Sequence, residues 1–514
     1  MARYSLLIPV CVVLVGSGAV GQSVVTWEGD KVYVNGEPFF YYGFIWQNAG
    51  SIEQYAKRHF NAFYIGTSAE KVAEAQKHGL KVMVGVTSEE QMAELAKAPN
   101  LVAWFILDDA SGAERLGQCE ERVARVKRVD TQHPTVADEN SRTVEGDRPF
   151  AALMDIYAPY TYPIPRSTME WYQQEFLDKL RDGCGRKYIW GAFQCSGIYS
   201  RHRLMGFSSE HMRMYMEPAQ LRLLVWMGIS HGMRGIMYWP DQGLFQPEDD
   251  CGDRLAEASI IGCELDLLGQ FIVAGDEQRG TARTNREDVE VCRIDRGDES
   301  LLILTKHGKN YHYAVDEALA TDVTVSFRPP GDPEGYVAYA VSFPEARQLR
   351  TRPRGGELEA DAGTVLVNEL IMVTKDRAHI ARLSRGLAER LPEVARYGQE
   401  LAECFSAKAG YVHRALQALG VGLPGQANAE ALWERAEAKF AESRRLFKAG
   451  EMADSYRTAR EAEAQYRKLL YLYRERADDF SHLVPPDARV YGMMPYSLPE
   501  YFAAFDPEAP EGPE

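Results

Sequence analysis

Acidic side chains end three apolar runs in this chain of 514 residues. LVAWFILDDA (Leu101–Ala110) closes on Asp108 and Asp109. PTVADEN (Pro134–Asn140) closes on Asp138, Glu139 and Asn140. RGIMYW (Arg234–Trp239) is followed by Asp241. Aromatic and amide side chains end other runs: Trp46 and Gln47 after Phe39–Trp46, Tyr157, Tyr160 and Tyr162 in MDIYAPYTY, Gln194 in KYIWGAFQ, and Tyr238 and Trp239. This mixture suits carbohydrate. Aromatic faces stack on the apolar faces of sugar rings, while amides and carboxylates pair with hydroxyls. Cleaving a glycosidic bond takes two carboxyl groups, about 5–5.5 Å apart for retention of configuration or about 6.5–9.5 Å apart for inversion.

For these residues to converge, their runs must be parallel strands of one barrel, whose chemistry sits at strand C-termini. The pattern predicts this. After a hairpin signature at Val24–Gly36, apolar runs alternate with helical stretches: Phe39–Trp46, Ala62–Gly66, Leu80–Val86, Leu101–Leu107, Pro134–Asn140, Met154–Tyr162, Lys187–Gln194 and Arg234–Trp239. Ser88 reads as a helix N-cap and Gly79 as a helix terminator. A helix is expected over Met212–His231 and a closing helix over Arg254–Val273. Such alternation argues for a closed parallel barrel. A doubly wound open sheet is the rival, with no Gly-rich dinucleotide loop to support it.

The period changes to two over 276–375, which predicts a β-sandwich. From 376 to 484 apolar stripes at helical spacing predict a helical bundle, with Pro392 expected to bend or restart its first helix. Residues 485–514 form an acidic, Pro-rich tail. The fold class is therefore α/β: a (β/α)8 barrel over 22–275, then the sandwich and the helices.

Residues 1–21 read as a signal peptide. Arg3 precedes the apolar run Leu6–Val15, which is too short to span a bilayer, and Ala19-Val20-Gly21 supplies a small-residue cleavage site. Cleavage leaves no membrane span, and a secreted, periplasmic or cell-surface protein is expected; an uncleaved anchor is the rival. The net charge of −16 and pI of about 5.3 argue against binding nucleic acid or anionic lipid. Of eight cysteines Cys11 leaves with the signal, and the odd remainder is not a disulfide scaffold. No C-x-x-C pair or His/Cys spacing, His307 and His312 included, suggests a metal, and no cofactor is called for. His231 is read as a helix cap and Arg234 as a partner for a barrel acid from beneath.

Three pieces carry a family resemblance: KVYVNGEPFFYYGFIW (Lys31–Trp46), NLVAWFILDDA (Asn100–Ala110) and QLRLLVWMGISHGMRGIMYW (Gln220–Trp239). They resemble secreted bacterial glycoside hydrolases with (β/α)8 barrels, the clan that includes families 5 and 42 and β-galactosidase-like groups. The resemblance covers residues 24 to about 275. In that clan the fourth strand ends in a Glu acid/base preceded by Asn or Asp. Asp108 matches the preceding position, and Asp109, one methylene shorter, the acid/base. Ala110 replaces the clan's Pro. The nucleophilic Glu belongs at the end of the seventh strand, where this chain has Gln194, which is no carboxylate nucleophile.

Three readings follow. Asp109 is the acid, with Glu139 or Asp241 as the base of an inverting site. Alternatively, the barrel binds glycans without cleaving them, as a carbohydrate-binding or structural surface protein. In the third, the nucleophile lies elsewhere, at Glu210 or Glu217. The resemblance implies a carbohydrate substrate, with Trp46, Asp108, Asn140, Tyr160, Tyr162, Gln194, Tyr238 and Trp239 lining the site.

Overall fold

The computed structural model describes residues 22–29, 31–139, 143–164, 167–179, 183, 189–195, 216–239, 241–246, 251–306, 320–420, 422–423 and 428–478. The expected signal segment, Asn140, Glu210, His307, His312 and the acidic tail lie outside them.

The chain opens with three short antiparallel strands, β1 (Val25–Glu28), β2 (Lys31–Val34) and β3 (Glu37–Pro38). Eight parallel strands follow: β4 (Tyr41–Phe44), β5 (Ala62–Tyr64), β6 (Lys81–Gly85), β7 (Leu101–Phe105), β8 (Thr135–Glu139), β9 (Ile156–Pro159), β10 (Trp190–Gln194) and β11 (Gly235–Trp239). They pair in the order β10-β11-β4-β5-β6-β7-β8-β9. Parallel bridges Tyr157–Ile189 and Tyr160–Ala192 join β9 to β10 and close the ring. This excludes the open-sheet alternative.

Alternation along each strand divides the side chains into two layers. One layer holds Tyr41, Met83, Phe105, Val136, Trp190 and Met237, with no helical residue among its buried members. It fills the lumen, and Val25, Val32 and Val34 of the hairpin join it. The other layer, with Tyr42, Val84, Trp104, Ala137, Tyr157 and Tyr238, packs against the helices.

Local signals place the connecting helices. Ser88 Oγ accepts from the Gln91 N–H and starts the helix Glu89–Leu95. Gly79, at φ +74°, ends the turn after helix Ala69–Lys77. The helix Val144–Leu153 is one the periodicity did not announce, since Gly146 and Pro149 interrupt its pattern. Thr143 Oγ caps it at the Gly146 N–H. Helices Pro218–Ser230 and Gly252–Ala274 are buried nearly all round.

Beyond the barrel stand a six-stranded and a four-stranded antiparallel sheet. They enclose one core that includes Leu302, Leu304, Val325, Phe327 and Ile371. The outer face of the larger sheet, with Ile294, Ile303 and Met372, is continuous with the barrel's helix-facing layer. Three long helices follow, Arg377–Ala418, Ala429–Ala449 and Met452–Asp478. The first runs on through Pro392 without the restart that was one of the two expectations there. Buried Leu387, Val394 and Ala395 on both sides of the proline hold the helix, offsetting a cost of about 3 kcal/mol. Among the described residues no helix is long and apolar enough to cross a membrane.

Candidate functional site

Three aspartates meet where β7 and β8 end. Asp138 is the last lumen-facing residue of β8 and is 2% exposed. Just beyond β7, Asp108 is half-buried and Asp109 exposed. Asp109 sits at φ +56°, a left-handed backbone that Asp tolerates better than most residues. Its N–H donates to Asp138 Oδ1 at 2.8 Å. The Asp108 and Asp138 carboxyls hydrogen-bond to each other, and the Trp46 indole N–H donates to Asp108. The Tyr160 hydroxyl donates to Asp109 Oδ1.

Two carboxyls can hydrogen-bond only if one is protonated. The surroundings favour that state. Burial pushes the Asp138 carboxyl well above the usual range, and the charge of Asp108 adds to the push. Asp108 is also raised, first by burial and then by the charge of Asp109, against the pull of its bonds to Asp138 and Trp46. Both shifts favour a protonated member in the pair, beside the exposed Asp109.

Aromatic side chains stand around the acids. Trp46, after β4, meets Tyr64 of β5 edge-on with ring centroids 4.9 Å apart. On the β9 side, Tyr160 and Tyr162 lie 5.1 Å apart, and Tyr162 stacks on Trp239 of β11 at 5.9 Å and 16°. Burial first raises the pKa of Tyr64, Tyr160 and Tyr162, followed by Asp108 at Tyr64, Asp109 at Tyr160 and the Tyr160 hydroxyl at Tyr162, so all three hydroxyls keep their protons and can donate. The mouth therefore offers acids, hydroxyl donors and partly exposed rings.

Other expected residues are placed elsewhere. Asp241 is fully buried and saturated. Its Oδ2 accepts from the N–H groups of Asn48, Ala49 and Gly50 at 2.9–3.0 Å and from the Tyr55 hydroxyl, and Oδ1 also takes the Asn48 N–H. It holds the loop after Trp46, which is not the position of a base awaiting water. Glu139 has the opposite strand parity to Asp138. It is 1% exposed and accepts from the hydroxyl of Tyr157, whose ring belongs to the helix-facing layer. Gln194 clamps the loop after β9, donating to the Ile164 carbonyl at 2.7 Å and accepting its N–H at 3.3 Å. Tyr238 is completely buried on the helix side, its hydroxyl 3.1 Å from that of Tyr42, and does not line the mouth. Glu217 caps helix Pro218–Ser230 and accepts from the hydroxyl of Tyr471. His231 Nδ1 meets the Met227 carbonyl at 2.7 Å, as a helix-end residue does. Arg234 is fully buried and donates to the Met233 carbonyl.

Tyr64 was not among the strand-end candidates, and Asp138 was a candidate that received no role. For Asp138 the signal was present: it shares parity with Val136, a lumen residue, whereas Glu139 shares parity with Ala137.

No family model matches the chain, and no curated protein matches it in sequence. Among solved structures it is similar to one described as a glycoside hydrolase, at 15% identity and TM-score 0.48, over 70% of this chain and 98% of that one. It is also similar to a glycoside hydrolase family 5 protein from Bacteroides vulgatus ATCC 8482, at 12% and 0.47, over 69% and 93%. A third is a GH30 endoxylanase from Clostridium papyrosolvens C71, at 10% and 0.37, over 66% and 97%. The (β/α)8 fold itself rests on the strand order and closure given above.

Proposed function

We propose that the mouth of the barrel binds carbohydrate and hydrolyses a glycosidic bond. The observation that carries this is the Asp108–Asp138 pair, both carboxyls raised in pKa by burial, set beside Asp109 within a ring of Trp46, Tyr64, Tyr160, Tyr162 and Trp239. A general acid needs its pKa raised towards the working pH, and the shift of Asp108, caused first by burial, has that direction. In this reading Asp108 protonates the leaving glycosidic oxygen as the anomeric C–O bond breaks. Water adds to the anomeric carbon, and Asp109 accepts the water's proton. Asp138 keeps the proton on the pair, and Trp46 and Tyr160 hold Asp108 and Asp109 in place. The proton donor is thus moved from Asp109 to Asp108, because Asp108 is the more buried of the two.

A second reading has one observation behind it. The side chains of Gln194 and Asp241 are engaged in holding loops, so the side of the mouth across from β7 offers neither as a carboxylate. In that reading the site binds glycan without cleaving it. The N-terminal segment supports action outside the cytoplasm, with the mature chain starting at Gln22.

The test is a panel of neutral and acidic polysaccharides and oligosaccharides, read by release of reducing ends and by calorimetric binding. The wild type is expected to cleave at least one member, and Asp108→Asn to bind that member without cleaving it. Binding without cleavage by the wild type supports the second reading. Neither binding nor cleavage across the panel refutes both.

A further inference from the structure

A second cluster of chemically capable side chains lies at the opposite end of the barrel. His59 sits in the turn between helix Ile52–Lys57 and the start of β5. Cys263 is on the closing helix Gly252–Ala274, and Glu393 is on the long helix Arg377–Ala418. A ring nitrogen of His59, the Cys263 sulfur and a Glu393 oxygen all lie within 4.8 Å of one another. Three elements widely separated in sequence bring them together, so no motif spacing announces the group.

Asp266 meets His59 Nδ1 at 2.8 Å, leaving Nε2 to face Glu393 at 2.6 Å. A histidine that ligates a metal ordinarily gives its other N–H to such a carboxylate, which fixes the ring. His59 holds a left-handed backbone, φ +63°. The closing helix reaches it only because residue 262 is glycine: a Cβ there would stand 2.8 Å from His59 Cβ and 3.0 Å from its carbonyl oxygen. Cys263 is a buried free thiol, and the Glu393 side chain is 53% exposed. Donors around a tetrahedral zinc stand roughly 3.3–3.8 Å apart; the three atoms lie within 4.8 Å of one another with Glu393 only 2.6 Å from His59, so binding needs the exposed Glu393 carboxylate to draw back from the ring and the Cys263 sulfur to close in.

We propose that His59 Nε2, Cys263 Sγ and the Glu393 carboxylate bind a divalent transition-metal ion, with Asp266 as the residue that orients His59. One sulfur, one nitrogen and one oxygen donor select zinc over calcium or magnesium. The ion would clip the C-terminal helix to the barrel floor. Without it His59 bridges the Asp266 and Glu393 carboxylates. Because a cysteine ligates as the thiolate, binding displaces the Cys263 thiol proton.

The experiment uses the full chain, stripped with a chelator and dialysed. Zinc is titrated by calorimetry in two buffers of different ionisation enthalpy, and cobalt is titrated in parallel by absorption. One equivalent, proton release and a thiolate-to-cobalt charge-transfer band are expected. Cys263→Ala should abolish the band. Glu393→Gln, at an exposed position that leaves folding intact, should weaken zinc at least tenfold, and Asp266→Asn about 10–100-fold. Absence of a stoichiometric site overturns the proposal. So does zinc affinity unchanged in Glu393→Gln, or binding that survives there but is lost in Asp108→Asn, which would place the ion at the mouth.

Discussion

Replacing Asp241 with alanine separates a strut from a base. In the structure its carboxylate takes the N–H groups of Asn48, Ala49 and Gly50 and the hydroxyl of Tyr55. Asn48 and Ala49 are exposed, so water can replace the lost acceptor there. Gly50 and Tyr55 are buried and cannot be reached so easily. Each stranded buried donor costs about 1–3 kcal/mol, so Asp241→Ala should lose about 2–6 kcal/mol. Asp241→Asn keeps one oxygen but turns an NH2 towards donors, and should lose less. The assay is urea unfolding followed by tryptophan fluorescence, with the loss read from the midpoint at constant slope. Because the loop carries Trp46, glycan affinity should fall with stability. A variant of wild-type stability that has lost only turnover would refute the strut and restore Asp241 as a base.

Three further outcomes follow from the same geometry. Asp138 has a folded pKa above its unfolded one, so the folded state binds the extra proton; its favourable contribution is complete below the unfolded value and is lost as pH rises through the raised one. Asp138→Asn cannot ionise, so its urea midpoint should gain on the wild type as pH rises from acid to neutral, and a pH-independent difference would count against the shared proton. Asp109→Gly relieves a left-handed backbone worth roughly 1 kcal/mol while deleting the carboxylate; cleavage should vanish with stability within about 1 kcal/mol of wild type, and a loss above about 3 kcal/mol would make Asp109 structural. Glu257 is buried, yet Arg222 and Arg460 overcome the upward push of burial and hold its pKa at about 2, below the ordinary 4.5. Its contribution is full above 4.5 and drains away as pH falls towards 2, so Glu257→Gln should cost about 3–5 kcal/mol at neutral pH and less in acid, measured by chemical denaturation across pH.

Much of the barrel was legible because β-strand burial leaves a plain mark. LVAWFIL is apolar at both parities, as a strand covered on both sides must be. The acids stand at the strand ends where their runs put them. Which of them face the lumen did not follow from the runs. Adjacent residues on a strand face opposite layers, so choosing Glu139 over Asp138 moved the expected base out of the lumen. Asp241 looks catalytic in sequence because its partners are backbone N–H groups of a loop nearly two hundred residues earlier, which no side-chain pattern reveals. Tyr238 is at a strand end like Trp239, but parity turns it to the helices. Pro392 shows the same limit for helices: local preference allowed a restart there, and packing on both sides overrode it.

Whether Asp108 and Asp138 share a proton is read directly from their titration. Carbon-13 NMR of side-chain aspartate carboxyls, assigned with Asp108→Asn and Asp138→Asn, follows each group through its titration. One carboxyl of the pair should stay protonated well above the ordinary aspartate range, and replacing either partner should shift the other. Two carboxyls that both titrate in the ordinary range, each indifferent to the other's removal, would contradict a proton held at the barrel mouth.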